Sequence, residues 1–167
     1  GLTILGIMGE AHKLSDYEYF QVLDIVLEQT NNRVPVVVGC TAQGNNVAKD
    51  LAKRAEQAGA QGVMIAAPRN LNNEEMLFKH YAQVAESISI PIVVQDEPVT
   101  TGVRMSPQFL ARLANEIDHV QYVKLEEAPT TVKITKILQE TDKLKIFGGL
   151  GGVYFYEELA RGAVGIM

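Results

Sequence analysis

The sequence predicts an α/β fold, a (β/α)8 barrel of parallel strands that is incomplete at both ends. Short apolar runs alternate with amphipathic stretches along all 167 residues, as expected for a chain of βα units. The runs are nearly continuous in Val and Ile, which is typical of strands buried on both faces of a parallel sheet. The sequence between them lacks the short turn motifs that join hairpins, which favours crossover connections.

Seven strands and six helices are predicted. The strands are 2–5, 35–39, 62–67, 90–94, 120–124, 144–147 and 163–167. The helices are 16–29, 46–58, 73–87, 106–115, 130–140 and 153–160. The first helix opens with the capping-box pattern of Ser15 and Glu18, the second has Ala and Leu at helical spacing, and the fourth opens with Ser106-Pro107. The others are apolar runs or amphipathic stretches between turn residues.

The number of strands distinguishes a partial barrel from a complete one. A closed (β/α)8 barrel has eight strands and typically about 250 residues. Seven strands in 167 residues therefore predict a single barrel domain over residues 1–167 that lacks part of the fold. An open doubly wound sheet is the alternative for the same alternation.

Composition excludes several classes of partner. The formal net charge is −5 and the isoelectric point is near 5.2, whereas nucleic acids and anionic membranes require a basic face. The apolar runs are too short to span a bilayer, and no secretory signal opens the chain. A single cysteine excludes an internal disulfide and suits a reducing, cytoplasmic location. The three histidines have no ligand spacing, so no metal site is predicted, and nothing in the sequence implies an organic cofactor.

Lys124 is the principal candidate for catalysis. It closes the apolar run 120–124, and in a parallel barrel the C-terminal strand ends form the active-site face. A lysine in an apolar pocket loses its proton more readily and becomes a nucleophile towards carbonyl carbon. The alternative is an exposed lysine that opens a loop, in which Glu126 and Glu127 are expected to be solvated.

Several strand ends resemble one family. The segment Gly6-Ile7-Met8-Gly9-Glu10, followed by Leu14-Ser15, resembles the Gly-Thr-Thr-Gly-Glu…Leu-Ser signature of the dihydrodipicolinate synthase / N-acetylneuraminate lyase family. The segment from Pro91 to Gly102 is similar to its Pro-Ile-x-x-Tyr-Asn-x-Pro-x-x-Thr-Gly motif. Gly162-Ala163-Val164-Gly165 resembles the start of its eighth strand. The likeness runs in register over nearly the whole chain.

The resemblance implies a fold and a chemistry. Family members are (β/α)8 barrels, usually homotetramers, that handle pyruvate or another 2-oxo acid through a lysine imine. Lys124 falls at the position of that Schiff-base lysine. By the same comparison the chain has the second to eighth strands and lacks the first βα unit and the C-terminal helices. The implied partners are a small 2-oxo acid and further copies of the chain, as a tetramer or dimer.

The family's helper residues do not carry over. The tyrosine that relays protons beside the imine is Gln95 here, and the two threonines that bind the 2-oxo-acid carboxylate are Ile7 and Met8. A second family tyrosine aligns with Asn70, and the arginine that dihydrodipicolinate synthases place before Thr-Gly is Thr100. The prediction is therefore a divergent lyase and not a true dihydrodipicolinate synthase.

Other residues near the strand ends are candidates for the missing roles. Tyr122 lies two residues before Lys124 and is predicted to share its side of the strand; it either relays protons or fills the barrel interior. Asp96 is a candidate acid–base group. Arg69 either anchors a carboxylate or is an exposed loop residue. Gly9 and Glu10 match the family signature, where the carboxylate is expected mainly to fix the loop.

The run Gly148-Gly149-Leu150-Gly151-Gly152 leaves the function open. Glycine-rich loops after the last strands of a barrel often bind phosphate, which suggests a phosphosugar or flavin-phosphate binder. Alternatively, the resemblance implies that Gly148 and Gly149 line a 2-oxo-acid site with Gln95, where their N–H groups would hold the substrate carboxylate. A non-catalytic paralogue that binds a small acid is a third possibility. The preferred prediction is an aldolase or dehydratase acting on a 2-oxo acid such as a 2-keto-3-deoxy sugar acid.

Overall fold

The computed structural model describes residues 1–69 and 71–167, so the prediction made for Asn70 lies outside the described residues. The strands form one parallel sheet and are β1 (Leu2–Ile4), β2 (Val36–Gly39), β3 (Gly62–Ala66), β4 (Ile92–Asp96), β5 (Val120–Leu125), β6 (Lys145–Gly148) and β7 (Gly165–Ile166). The helices are α1 (Asp16–Thr30), α2 (Asn45–Gln57), α3 (Glu74–Ala85), α4 (Pro98–Thr101), α5 (Pro107–Glu116), α6 (Thr130–Glu140) and α7 (Phe155–Ala160).

The order of the strands confirms the predicted fold class. Neighbouring strands follow chain order from β1 to β7, and every pair is parallel. A doubly wound sheet would reverse its strand order at a switch point, and this sheet does not. Right-handed crossovers therefore place all the connecting helices on one side. The result is the curled sheet of a (β/α)8 barrel, with seven strands present.

Alternation along the strands separates two faces. Val94, Val123 and Ile146 occupy equivalent positions on β4, β5 and β6, and all three belong to the core packed between the sheet and the helices. Side chains one residue further along point the opposite way, into the concave interior of the sheet. The hydrogen-bonded register makes Gln95, Lys124 and Phe147 neighbours on that interior face.

The predicted helix starts are confirmed where a cap marks them. Ser15 and Glu18 form the expected capping box of α1, and Ser106 accepts a hydrogen bond from the Phe109 N–H with Pro107 in the first turn of α5. Two short elements were not predicted, a 3-10 turn at Ala11–Lys13 and helix α4, because so few residues show no periodicity. None of the helices in the described ranges is long and apolar enough to cross a bilayer.

Candidate active site around Lys124

Lys124 lies near the C-terminal end of β5, with its side chain on the interior face of the sheet. Its neighbours in the chain, Val123 and Leu125, are fully buried on the opposite face. Lys124 itself is only 9% exposed. The alternative of an exposed lysine that opens a loop is therefore wrong, and the amine lies where a barrel carries its chemistry.

The Lys124 amine lies beside a carboxylate that also accepts a hydrogen bond from an amide. Lys124 Nζ lies 3.1 Å from Oε1 of Glu126, and the Gln95 amide Nε2 donates to Oε2 of the same carboxylate at 2.8 Å. Glu126 is itself only 9% exposed, so the expectation of a solvated loop charge is wrong for this residue. The alternation of β5 continues one step past the strand and turns Glu126 inwards with Lys124.

The Gln95 side chain has one unused hydrogen-bonding atom. Because an ionised carboxylate only accepts hydrogen bonds, the contact with Glu126 must be made by the amide nitrogen. The carbonyl Oε1 is then left buried, with no partner among the described residues. A buried acceptor without a donor is costly, and a bound ligand or water that brings an N–H or O–H group would satisfy it.

Gly149 makes room for the cluster. A Cβ at this position would lie 2.3 Å from Cγ of Glu126 and 3.0 Å from Cγ of Lys124, which is too close for any side chain. The Gly149 N–H donates to the Leu125 carbonyl at 2.9 Å. This amide therefore joins β5 to β6 and is not available for a substrate carboxylate, as one prediction had required. Gly149 acts by its small size.

Gly148 lies against a buried carboxylate of α7. A Cβ on Gly148 would come within 1.7 Å of Glu158 Oε2, and the other oxygen of Glu158 accepts a hydrogen bond from Thr130 Oγ1 at 2.6 Å. Glu158 is 2% exposed. A negative group at the root of the glycine-rich loop would repel a phosphate, so this arrangement disfavours the phosphate-binding alternative.

Asp96 does not join this cluster, contrary to the prediction. It follows Gln95 on β4 and therefore points to the helix-facing side of the sheet. There its Oδ2 accepts a hydrogen bond from Lys133 Nζ of α6 at 2.6 Å, and Lys133 also pairs with Glu127, which in turn pairs with Arg104. Burial raises the pKa of Asp96 to about 6 despite the Lys133 ammonium. The Asp96 carboxylate therefore belongs to a structural ion pair and lies on the wrong face of the sheet to reach an imine at Lys124.

Tyr122 is on the predicted side of β5 but serves the barrel interior. Its ring packs beside Phe147 with the ring centroids 5.8 Å apart, and Lys145 Nζ lies 5.6 Å from its centroid. It lines a cavity whose other walls include Pro35 and Pro91, which precede β2 and β4. Tyr122 therefore faces the N-terminal end of the strands, which supports the core-filling interpretation over a proton relay.

The remaining predicted residues lie after β1 and β3. Arg69 is exposed and lines a second cavity with Gly6, Ile7 and the helix α4 residue Thr101, and Lys124 is not part of that lining. Gly9 and Glu10 are exposed, and Glu10 adopts φ +53° and pairs with Lys13. This placement agrees with a loop-fixing role for Glu10.

The described residues hold no group of three His, Cys, Asp or Glu side chains that could bind a metal ion.

Comparisons with known proteins place the chain in a family. The sequence matches the model of the dihydrodipicolinate synthetase family over residues 1–167. It is 34% identical over 170 aligned residues to the 4-hydroxy-tetrahydrodipicolinate synthase of Pelobacter propionicus, an alignment covering 100% of this chain and 57% of the relative. The Geobacter sulfurreducens protein of the same name is 34% identical over 97% of this chain and 56% of its own length.

Solved structures give the same result. The dihydrodipicolinate synthase of Rhodopseudomonas palustris superposes with a TM-score of 0.90 at 34% identity, over 99% of this chain and 57% of that one. The Thermotoga maritima enzyme gives 0.92 at 29% identity, over 100% of this chain and 58% of that one. The chain thus spans somewhat more than half the length of the relatives it matches. Its sequence and its fold together show that the chain belongs to the dihydrodipicolinate synthetase family.

Proposed function

We propose that the protein containing this chain is a Schiff-base lyase, an aldolase or dehydratase, acting on pyruvate or another 2-oxo acid. The observation that carries this proposal is the Lys124 amine, which is 9% exposed on the interior face of β5 and lies beside the Glu126 carboxylate. A neutral amine there attacks the ketone and loses water to form an imine. The protonated imine is an electron sink beside which a C–C or C–O bond breaks.

The Gln95 side-chain carbonyl favours a substrate that carries a hydroxyl group. A substrate carboxylate or ketone oxygen cannot satisfy the unpartnered Oε1, since both are acceptors, whereas a hydroxyl can donate to it. A 2-keto-3-deoxy sugar acid combines the ketone that Lys124 requires with such hydroxyls. This chemistry favours a sugar acid over pyruvate alone as the natural substrate.

We further propose that the protein is not a 4-hydroxy-tetrahydrodipicolinate synthase, although relatives bear that name. Ile7, Met8 and Gln95 replace the hydroxyl groups expected for that chemistry, and Met8 is 88% exposed. The homo-oligomer remains a prediction of the resemblance, and the cytoplasmic location remains a prediction of the single cysteine.

Reductive trapping tests the proposal. The full-length protein is incubated with pyruvate and borohydride, and the mass gain is mapped by peptide mass spectrometry. We expect the adduct on Lys124. No adduct with pyruvate or with a panel of 2-oxo acids would contradict the lyase. Binding of phosphorylated ligands would then support the phosphate-binding barrel, and reversible binding of a small acid would support the sensor.

A further inference from the structure

Glu126 has the position of a proton-transfer group. Its Oε1 is 3.1 Å from Lys124 Nζ, so it lies beside any carbon bonded to that nitrogen. Three other candidates that the structure describes do not fill this role: Gln95 is an amide, Asp96 faces the helices, and Tyr122 faces the other end of the barrel. An amide cannot shuttle a proton near neutral pH.

The surroundings of Glu126 hold its carboxylate in one place. The Gln95 amide fixes Oε2 at 2.8 Å, while Gly149 leaves the space that the Glu126 side chain occupies. Fixing one oxygen through Gln95 leaves the other directed at the amine. A general base must lie within hydrogen-bonding reach of the atoms that gain or lose the proton, and Oε1 meets this condition at Lys124.

We propose that Glu126 is the catalytic acid–base group of this site, in place of the missing tyrosine; the proposal rests on the imine chemistry proposed for Lys124. The Glu126 carboxylate takes a proton from the Lys124 ammonium, which frees the nitrogen lone pair. The nitrogen then bonds to C2 of the 2-oxo acid as the π electron pair of the ketone moves onto its oxygen, and a proton moves from nitrogen to that oxygen to give the carbinolamine. Glu126 returns its proton to the carbinolamine hydroxyl, which leaves as water and gives the protonated imine.

The same carboxylate then acts at C3. It removes a C3 proton, the C–H electron pair becomes the C2–C3 double bond, and the C–N π pair moves to nitrogen to give the neutral enamine. Where the substrate carries a C4 hydroxyl, the enamine electrons expel it and Glu126 supplies the proton that completes the water. With pyruvate, which has no C4, the only outcome is return of a proton to C3. Solvent exchange at the pyruvate methyl group therefore reports this step alone.

Two measurements separate the role of Lys124 from that of Glu126. Full-length wild-type protein and variants are incubated with pyruvate, once with borohydride to trap the imine and once in D2O to follow loss of the methyl signal by proton NMR. We expect Glu126→Gln to retain a Lys124 adduct on prolonged incubation and to slow the exchange by a factor of roughly 10² or more, the usual contribution of a general base. Glu126→Asp should fall between Glu126→Gln and the wild type.

Glu127→Gln is the matched control, since Glu127 is the adjacent glutamate but pairs with Lys133 on the helix-facing side. Its exchange should stay near the wild-type rate. Exchange by Glu126→Gln at the wild-type rate, or loss of exchange in Tyr122→Phe alone, would overturn the role of Glu126 while leaving the imine intact. If Glu126→Gln does not fold, Glu126→Asp decides by the same criterion: slower exchange supports the proposal and an unchanged rate overturns it. Absence of any wild-type adduct would instead overturn the lyase proposal, and this one with it.

Discussion

Two lysine–carboxylate clusters lie back to back at the ends of β4 and β5. The inner cluster joins Lys124 to Glu126, with Gln95 as the second partner of the carboxylate. The outer cluster joins Lys133 to Asp96 and Glu127. Adjacent residues supply the two: Gln95 and Asp96 on one strand, Glu126 and Glu127 in one loop. Alternation sends each member of a pair to the opposite face.

The clusters differ in how completely the amine is paired. The Lys133 amine contacts two carboxylates, those of Asp96 and Glu127, on the helix-facing side of the sheet. Among the described residues, Lys124 contacts one carboxylate and borders the barrel interior next to Gln95, whose side-chain carbonyl has no described partner. We therefore expect the outer lysine to matter for the fold, because removing one partner of a buried ion pair is costly, whereas the inner lysine lies on the face where a barrel carries its chemistry.

The largest expected effect is the loss of imine formation in Lys124→Met. Methionine keeps most of the volume and removes the nucleophile, so the borohydride adduct with pyruvate should fall to background. The fold should persist, because Glu126 keeps its hydrogen bond from Gln95. Intact mass after trapping measures the adduct, and circular dichroism checks the fold. An adduct of wild-type yield would exclude Lys124 as the imine former.

Lys133→Met should have the opposite effect. It leaves two carboxylates, Asp96 and Glu127, without their ammonium, and Asp96 is fully buried. Breaking a buried ion pair from one side costs about 3–5 kcal/mol. Urea denaturation should show that loss in the free energy of unfolding, while the folded fraction still traps pyruvate on Lys124. Unchanged stability would remove the structural role assigned to the outer cluster.

The pH dependence of stability should carry the signature of Asp96. Its pKa is raised from 3.8 to about 6 by burial, so between these values the folded state binds more protons than the unfolded state. Asp96 therefore makes a stabilising contribution to the free energy of unfolding that is fully present below about pH 4 and is lost as the pH rises through 6. The effect is on the order of 3 kcal/mol.

The Asp96→Asn variant has no carboxyl group at this position to titrate, so it should not lose stability in this way. Its free energy of unfolding relative to that of the wild type should therefore rise from pH 4 to pH 6. Urea denaturation at intervals across that range measures the difference. Asp118→Asn, at an exposed aspartate, is the control and should show no such trend. A flat difference for Asp96→Asn would mean that Asp96 titrates at its ordinary value.

The smallest stability effect is expected for Gly149→Ala, which tests how tightly the inner cluster is packed. The new Cβ would meet Glu126 Cγ at 2.3 Å and displace the carboxylate. Overpacking of this kind costs about 1–3 kcal/mol. Pyruvate trapping should weaken as well, whereas Gly44→Ala, whose Cβ would find its nearest neighbour at 3.9 Å, should leave trapping unchanged. Normal trapping by Gly149→Ala would show that Glu126 can move without consequence.

The sequence predicted the strands and the position of Lys124 because both depend on local patterns, namely continuous apolar runs and a charge at a strand end. It did not predict that Glu126 is buried, since a glutamate one residue past a strand looks like a loop charge. Only the continued alternation beyond Lys124 could have indicated it. Asp96 was assigned to the wrong face of the sheet, because the face on which a β4 side chain lies depends on the register of the strand. The hydrogen bond from Lys133 of α6 shows that Asp96 lies on the helix-facing side.

The most direct test of the account is to trap pyruvate with borohydride on the full-length wild-type protein and to compare the peptides that carry Lys124 and Lys133. The account predicts a single adduct, on Lys124, with Lys133 unmodified in the folded protein. Modification of Lys133 instead of Lys124, or no adduct with any 2-oxo acid tried, would contradict the assignment of the inner lysine as the reactive one.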